Sequence, residues 1–230
     1  MKFIFKWLLR LFALAVVLAV IFFLSLDSIL RVVIQHNIRA QTGMDAEIGK
    51  FHFGLTQPVV EIKDLQLFNS AEFGGTPFLN IPEIHVEYDR AALAKNQIHI
   101  TLLRFNLGEL DIVKNEAGQT NLFALGAAMP TPKNVARSNG LDEIKRRTGM
   151  DFKGIDVLNV SVGTAKYIDL ENQKNNREQP IGIENLVIKN VKEQEDLHGL
   201  ALLVALRGDE VFGIFVNQNS TADILKLLGF

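Results

Sequence analysis

Five histidines are the side chains of this chain best suited to metal binding or proton transfer, at positions 36, 52, 85, 99 and 198. Only His85 has carboxylates on its own predicted strand face, Glu87 two residues on and Asp89 four residues on. His52 and His99 could join this group from neighbouring strands. Polar residues on the solvent face of a strand form the same pattern, and neither an HExxH motif nor an Asp-rich loop accompanies it. We therefore predict no metal site.

Other catalytic signatures are missing as well. Ser161-Val162-Gly163 does not complete the G-x-S-x-G pattern of a nucleophile elbow, and Gly74-Gly75 belongs to a turn instead of a phosphate-binding loop before a helix. With no cysteine, the sequence excludes disulfides, thiolate zinc sites, iron–sulfur clusters and thiol catalysis. These observations predict a protein that is not an enzyme and that carries no cofactor.

The charge balance excludes one class of partner. The formal net charge is −2 and the pI is about 6.2, whereas a general nucleic-acid binder needs a basic excess to contact phosphates. The basic run Lys145-Arg146-Arg147 is too short to change this conclusion. It is either a solvated helix end or a contact for anionic lipid headgroups.

The N-terminal 26 residues have the composition of a membrane anchor. Between Trp7 and Leu26 only Arg10 and Ser25 are polar, and a helix of this length measures about 30 Å, enough to span a bilayer. A cleavable signal peptide is the alternative, but residues 25–30 offer no pair of small residues at cleavage spacing. We therefore expect an uncleaved signal anchor over residues 1–26.

Flanking charges predict the orientation of this anchor. Lys2, Lys6 and Arg10 lie at its N-terminal end together with Trp7, an aromatic residue typical of the membrane interface, whereas Asp27 opens the far side. The positive-inside rule then places the N-terminus in the cytoplasm. The remainder of the chain is expected to be exported.

Residues 27–43 are predicted to form a juxtamembrane helix. Their apolar residues recur at steps of three and four, and Gly43 supplies a helix stop. The apolar stripe, made by Ile29, Leu30, Val33, Ile34 and Ile38, could lie among lipid headgroups or cover a sheet. We favour the covering role.

Residues 44–128 alternate with the period of β-strands. The apolar phase slips at Lys63-Asp64 and again at Pro82, which predicts bulges there, and a fifth strand is expected around 110–113. Residues 129–150 read as a connector followed by a short helix. Residues 151–230 are predicted to contain a second hairpin, a helix over Glu193 to Leu206, and a strand or helix over Val211 to Val216.

Several segments together resemble the N-terminal module of the AsmA-like family. They are the anchor, the strand end Leu65-Gln66-Leu67-Phe68-Asn69, the loop residues Phe73-Gly74, the turn from Asp89 to Leu93, and the strand end from Glu116 to Leu122. Ser70 stands where the family usually has proline. The resemblance covers about residues 1–125, with a looser match through 206, and is closest to the short, stand-alone members.

The resemblance implies a protein of the bacterial envelope, anchored by a single pass in the inner membrane, with most of the chain in the periplasm. Larger relatives form long, curled β-structures with an apolar groove implicated in moving or organising lipids. The implied fold class is α+β: an N-terminal transmembrane helix, then a curled, mainly antiparallel β-sheet with a few covering helices. Membrane phospholipid is the expected partner.

Seven apolar residues are candidates to line such a groove: Phe51, Phe53, Phe68, Ile84, Val86, Phe105 and Val160. The same residues could instead pack in an ordinary core. A second functional hypothesis is a non-catalytic adaptor that uses its sheet edges to form a homo-oligomer or to join an envelope complex.

Overall fold

The computed structural model of the protein describes residues 25–40, 42–54, 56–122, 144–146 and 148–218. The predicted anchor lies outside these ranges except for its last two residues, and so does the connector over residues 129–140. No helix in the described ranges combines the length and the apolar character that crossing a membrane requires.

The described chain has an α+β fold in which six strands form one open sheet. The first helix, α1, covers residues 25–40. The other elements are β1 (Asp45–Phe53), β2 (Val59–Phe68), β3 (Pro77–Tyr88), α2 (Arg90–Leu93), β4 (Gln97–Lys114), β5 (Asp151–Asp169), β6 (Arg177–Val191), α3 (His198–Arg207) and α4 (Asp209–Gln218).

The strands follow the order β1-β2-β3-β4-β5-β6 across the sheet. Every neighbouring pair is antiparallel except β4 and β5, which run parallel from Gln97↔Asp151 to Lys114↔Asp169. A parallel pair needs a long crossover, and residues 115–150 provide it. The predicted fifth strand around residues 110–113 is not a separate element, because β4 continues through it as one strand of 18 residues.

All six strands shift the phase of their apolar side chains at a shared level of the sheet, and β5 and β6 shift it a second time, at Ile155–Leu158 and Ile188–Val191. On each strand, two residues three positions apart belong to the same apolar core, although regular alternation would place them on opposite faces. The pairs are Ile48 and Phe51, Ile62 and Leu65, Ile81 and Ile84, Leu107 and Leu110, Val162 and Ala165, and Ile183 and Leu186. The slip keeps one face of the sheet apolar along the full strand length.

The phase slips lie on a line that crosses the sheet, and this line contains residue types that favour an irregular strand backbone. Gly49 lies against Asp64, which has a positive φ of 54°, so β1 and β2 are both irregular at this point. Gly108 lies against Pro82 on one side and against Gly163 on the other. The bulges predicted at Lys63-Asp64 and Pro82 are therefore two points on a line that crosses the sheet.

Helices at both ends of the chain pack on the apolar face. Ile34 of α1 contacts the core formed by Ile48, Leu65 and Ile81. At the opposite side of the sheet, α3 and α4 pack on β5 and β6, and Val211 of α4 is completely buried. The segment from Val211 to Val216, for which the sequence left strand and helix open, is helical.

Candidate functional site

Six of the seven proposed groove residues, all except Phe68, lie on two neighbouring cross-strand rows of the apolar face. Strand register places Phe51, Ile62, Ile84, Phe105, Val160 and Leu186 in one row. The next row contains Phe53, Val60, Val86, Leu103, Leu158 and Ile188. The sheet thus carries a continuous apolar band from β1 to β6.

The two halves of this band differ in burial. On β5, Leu158 is 5% exposed and Val160 is 3% exposed, because α3 and α4 cover that half. On β1 to β4 the band is only half-buried, and Ile34 is the α1 residue that packs beside it. We call this half the apolar trough, defined by Phe51, Phe53, Val60, Ile62, Ile84, Val86, Leu103 and Phe105.

Two groove candidates lie outside the trough. Val160 belongs to the core beneath the C-terminal helices, so its side chain is enclosed by the protein itself. Phe68 follows Leu67, which contacts the core on the apolar face, and Phe68 does not join that core. The sequence could not separate Val160 from the other candidates, because its strand alternation is the same. Phe68 differs, since it directly follows Leu67 and is therefore out of phase with the apolar residues of β2.

A depression of about 270 Å³ lies at one end of the trough. Phe53 and Val86 form part of its wall, and Tyr88, Leu93, Ile98 and Ile100 complete the apolar lining. Leu93 lies on the short helix α2, which Asp89 caps by accepting hydrogen bonds from the N–H groups of Ala91 and Ala92. The sequence analysis missed these additional lining residues because they belong to a turn and to a strand end.

The start of α1 is bonded to this same end of the sheet. The Asp27 carboxylate accepts a hydrogen bond from the Phe53 N–H at 3.0 Å and contacts His52 Nδ1 at 3.0 Å. Burial opposes ionisation of Asp27, but these two partners outweigh it, so the pKa of Asp27 is lowered. Residues 25 and 26, which precede Asp27 in α1, are the last two residues of the predicted anchor.

Polar side chains occupy the opposite face of the sheet. One row contains His52, Glu61, His85 and Arg104. His85 contacts Glu87 through Nε2 at 3.2 Å, as its spacing suggested. Asp89 does not join them, since it caps α2 and lies 3.6 Å from His99 Nδ1. The single histidine cluster considered from the sequence is thus divided into separate groups.

His99 forms one of these groups with two carboxylates. Its Nε2 lies 2.9 Å from Asp156 Oδ1, and its Nδ1 faces Asp89. The hydrogen bond that His99 donates to the Asp156 carboxylate raises the pKa of His99, with Asp89 adding to the effect. His99 belongs to β4, Asp156 to β5, and Asp89 precedes α2. The group therefore links these three elements beside the depression.

Two asparagines from the motifs that resemble the AsmA-like module meet inside the protein. Asn121 Nδ2 donates to Asn69 Oδ1 at 2.9 Å and to the Asp111 carbonyl at 2.8 Å. Asn121 Oδ1 accepts from the Val113 N–H. Both asparagines are buried, so these motif positions hold the β2–β3 loop against the end of β4.

Comparison with known proteins identified no relative of this chain. No protein-family model, no curated protein and no solved structure matches it. Membership of the AsmA-like family is therefore a proposal that rests on the motif residues, and the function is inferred from the geometry of the chain.

Proposed function

We propose that this protein is an AsmA-like component of the bacterial envelope that binds lipid acyl chains in its apolar trough. Residues 1–26 anchor it in the inner membrane with the N-terminus in the cytoplasm, and the sheet lies in the periplasm. Its role is to assist lipid organisation or transfer without catalysing a reaction.

The observation that carries this proposal is the unequal burial of one apolar band. On β5 the band is buried beneath α3 and α4, at Leu158 and Val160, whereas the trough on β1 to β4 stays half-buried, as do Leu186 and Ile188 of the edge strand β6. Contiguous exposed apolar surface is costly in water and is typical of a site that receives an apolar ligand or partner. An open apolar depression at the end of such a surface favours a ligand with an extended hydrocarbon part.

The position of the depression supports a lipid ligand in particular. Phe53 lines the depression through its side chain and holds Asp27 through its backbone N–H. The apolar segment that precedes Asp27 has the length of a bilayer span. If that segment is a membrane anchor, the depression lies close to the bilayer surface, where an acyl chain could enter it.

The alternative function, an adaptor that pairs through sheet edges, has less support. Asp27 and Arg31 of α1 hydrogen-bond backbone groups of the edge strand β1, at the Phe53 N–H and the Gly49 carbonyl. On the other edge, Arg207 donates to the carbonyls of Ile181 and Gly182. Side chains of the same chain thus occupy positions that an added strand would need.

The trough is tested on the full-length protein purified in detergent, with bound phospholipid measured by mass spectrometry. Three variants are compared, each of which replaces one apolar residue by glutamine. We expect Phe53→Gln to remain folded by circular dichroism and to lose bound lipid. Val160→Gln should unfold, because it places an amide in a sealed core. Val187→Gln is the matched control, since Val187 is 48% exposed on the opposite face and should change neither property.

Two results would overturn the lipid proposal. One is wild-type protein that carries no more phospholipid than a detergent-matched control membrane protein. The other is a folded Phe53→Gln variant with undiminished lipid. A lipid-free protein of defined oligomeric mass would support the adaptor function instead.

Orientation is tested separately with introduced cysteines, because the chain has none of its own. We expect an impermeant thiol reagent to label Gln173→Cys, in an exposed turn, in intact spheroplasts and to leave Lys6→Cys unlabelled. The reverse labelling would contradict the proposed topology.

A further inference from the structure

Three side chains converge on the polar face of the sheet, opposite the apolar trough. Glu61 of β2 lies directly across from His85 of β3, and Glu83 lies two residues before His85 on the same face. One ligand atom from each of the three lies within 4.8 Å of the others. All three side chains are half-buried, between 18% and 28% exposed, so neighbouring strands restrict their motion.

The two ring nitrogens of His85 have different environments. Nε2 lies 3.2 Å from the Glu87 carboxylate, whereas Nδ1 faces Glu61 Oε1 at 3.9 Å. An ionised carboxylate can only accept, so the contact with Glu87 places a proton on Nε2. In the neutral ring, the lone pair is then on Nδ1, the nitrogen that faces Glu61. Metal-binding histidines commonly have this arrangement, with a carboxylate holding the nitrogen that is not bound to the metal.

We propose that Glu61, Glu83 and His85 bind a divalent transition-metal ion of the Zn²⁺ class, with Glu87 orienting the imidazole. One nitrogen and two carboxylate oxygens form a ligand set typical of such ions, and the fourth position is left for water or another ligand. Tetrahedral bonding at about 2.0–2.2 Å requires ligand atoms about 3.4 Å apart. The ligand atoms lie within 4.8 Å of one another, and we expect rotation of the two glutamate side chains to bring them to this spacing.

Two cations now neutralise the carboxylates. Lys63 Nζ lies 3.0 Å from Glu61, and Arg104 Nη1 lies 3.2 Å from Glu83. Both cationic side chains are more than 40% exposed and can turn into solvent when an ion binds. With neutral His85, the three carboxylates exceed the two cations by one negative charge, so the local charge favours the ion.

Bound metal would connect β2 to β3 on the face that α1, α3 and α4 leave uncovered. The site is separate from lipid binding, because its side chains point away from the trough. The outcome of the metal-binding test is therefore independent of whether the protein binds lipid.

The test uses the untagged full-length chain in detergent, treated with a chelator and then titrated with ZnCl₂ by calorimetry. We expect one equivalent to bind, and we expect His85→Gln and Glu61→Gln each to weaken binding at least tenfold. His36→Gln, an exposed histidine of α1, is the matched control and should bind Zn²⁺ like wild type. Circular dichroism confirms that each variant is folded; if His85→Gln unfolds, Glu83→Gln replaces it.

Titration with Co²⁺ gives an independent readout, because the four-coordinate ion absorbs strongly in the visible range. We expect this absorption in wild type and its loss in the folded Glu61→Gln and Glu83→Gln variants. The proposal fails if wild type binds no Zn²⁺ at tens of micromolar, or if His36→Gln weakens binding as much as the cluster variants do. Unchanged affinity in folded Glu61→Gln would also overturn it.

Discussion

Replacing Gly163 by alanine tests the line of phase slips that keeps one face of the sheet apolar. Gly163 lies on β5 directly beside Gly108 of the parallel strand β4. An ideal Cβ at Gly163 would overlap the Gly108 carbonyl oxygen, well inside the 3.0 Å that real Cβ atoms keep from other atoms. The obstacle is backbone, so no side-chain rotation can relieve the overlap.

The expected cost follows from where the two strands lie. β4 and β5 are both interior strands of the sheet and are paired over almost their whole length, so separating them strains hydrogen bonds on both sides. Overpacking of a tight interior costs typically 1–3 kcal/mol, and a backbone obstacle places Gly163→Ala near about 3 kcal/mol. For a domain of this size, that is a decrease of about 6–12 °C in the thermal midpoint.

The assay is thermal unfolding of the wild type, Gly163→Ala and a control, followed by circular dichroism. Gly213→Ala is the control, because Gly213 lies within α4 and an added Cβ meets nothing within 4 Å. Alanine is favoured over glycine in a helix by about 1 kcal/mol, so this variant should be more stable than wild type. A Gly163→Ala midpoint within about 2 °C of wild type would show that the strands do not approach as described.

Three further predictions concern ionisable groups. Burial raises the pKa of Asp111 to about 6, so its ionisation costs stability as pH rises through that value; Asp111→Asn should raise the unfolding free energy above pH 6 by about 1–3 kcal/mol and leave it unchanged below pH 4. Asp27→Ala should speed hydrogen exchange of the Phe53 amide, which loses its acceptor. Asp156→Asn should lower the pKa of His99, measured by NMR titration, because its hydrogen bond is the main cause of the raised value.

Each of these has a control on an exposed carboxylate. Glu116→Gln, in an exposed turn, should leave the pH dependence of stability unaltered, and an equal gain in this variant would contradict the account of Asp111. Asp45→Ala removes an exposed pair with Arg39 and should not change exchange at Phe53. Asp151→Asn, paired with Lys145, should leave the pKa of His99 in place.

Local regularities of the sequence predicted a large part of this fold. The strand alternation between residues 45 and 114 and the slips at Lys63-Asp64 and Pro82 appear in the structure as expected. Of the predicted apolar stripe, Ile34 packs on the sheet, whereas Ile29 and Val33 are about half-exposed. These features depend on residues a few positions apart, whose side chains must alternate on a strand and recur at three or four on a helix. Such short-range geometry can be read without knowledge of neighbouring elements.

The pairing of distant segments could not be read in this way. Nothing local in Gln97–Lys114 or Asp151–Asp169 indicates that the two strands run parallel, because parallel pairing depends on the path of the 36 residues between them. The approach of Glu61 to His85 likewise follows from the β2–β3 register, so this glutamate was not a candidate on sequence grounds. Glu83 is different, because it lies two residues before His85 on the same strand, and the sequence analysis overlooked that spacing.

Sequence alone determined that Phe53 and Val160 both belong to the apolar phase of a strand. Only the tertiary structure decided that Val160 lies beneath α3 and α4, while Phe53 faces the depression beside Asp27. The two residues have the same local pattern, and burial depends on which helices pack over each strand. Those contacts join segments that are far apart in the chain. The spacing of apolar residues and the secondary-structure propensity of a segment do not indicate which distant segment packs on it.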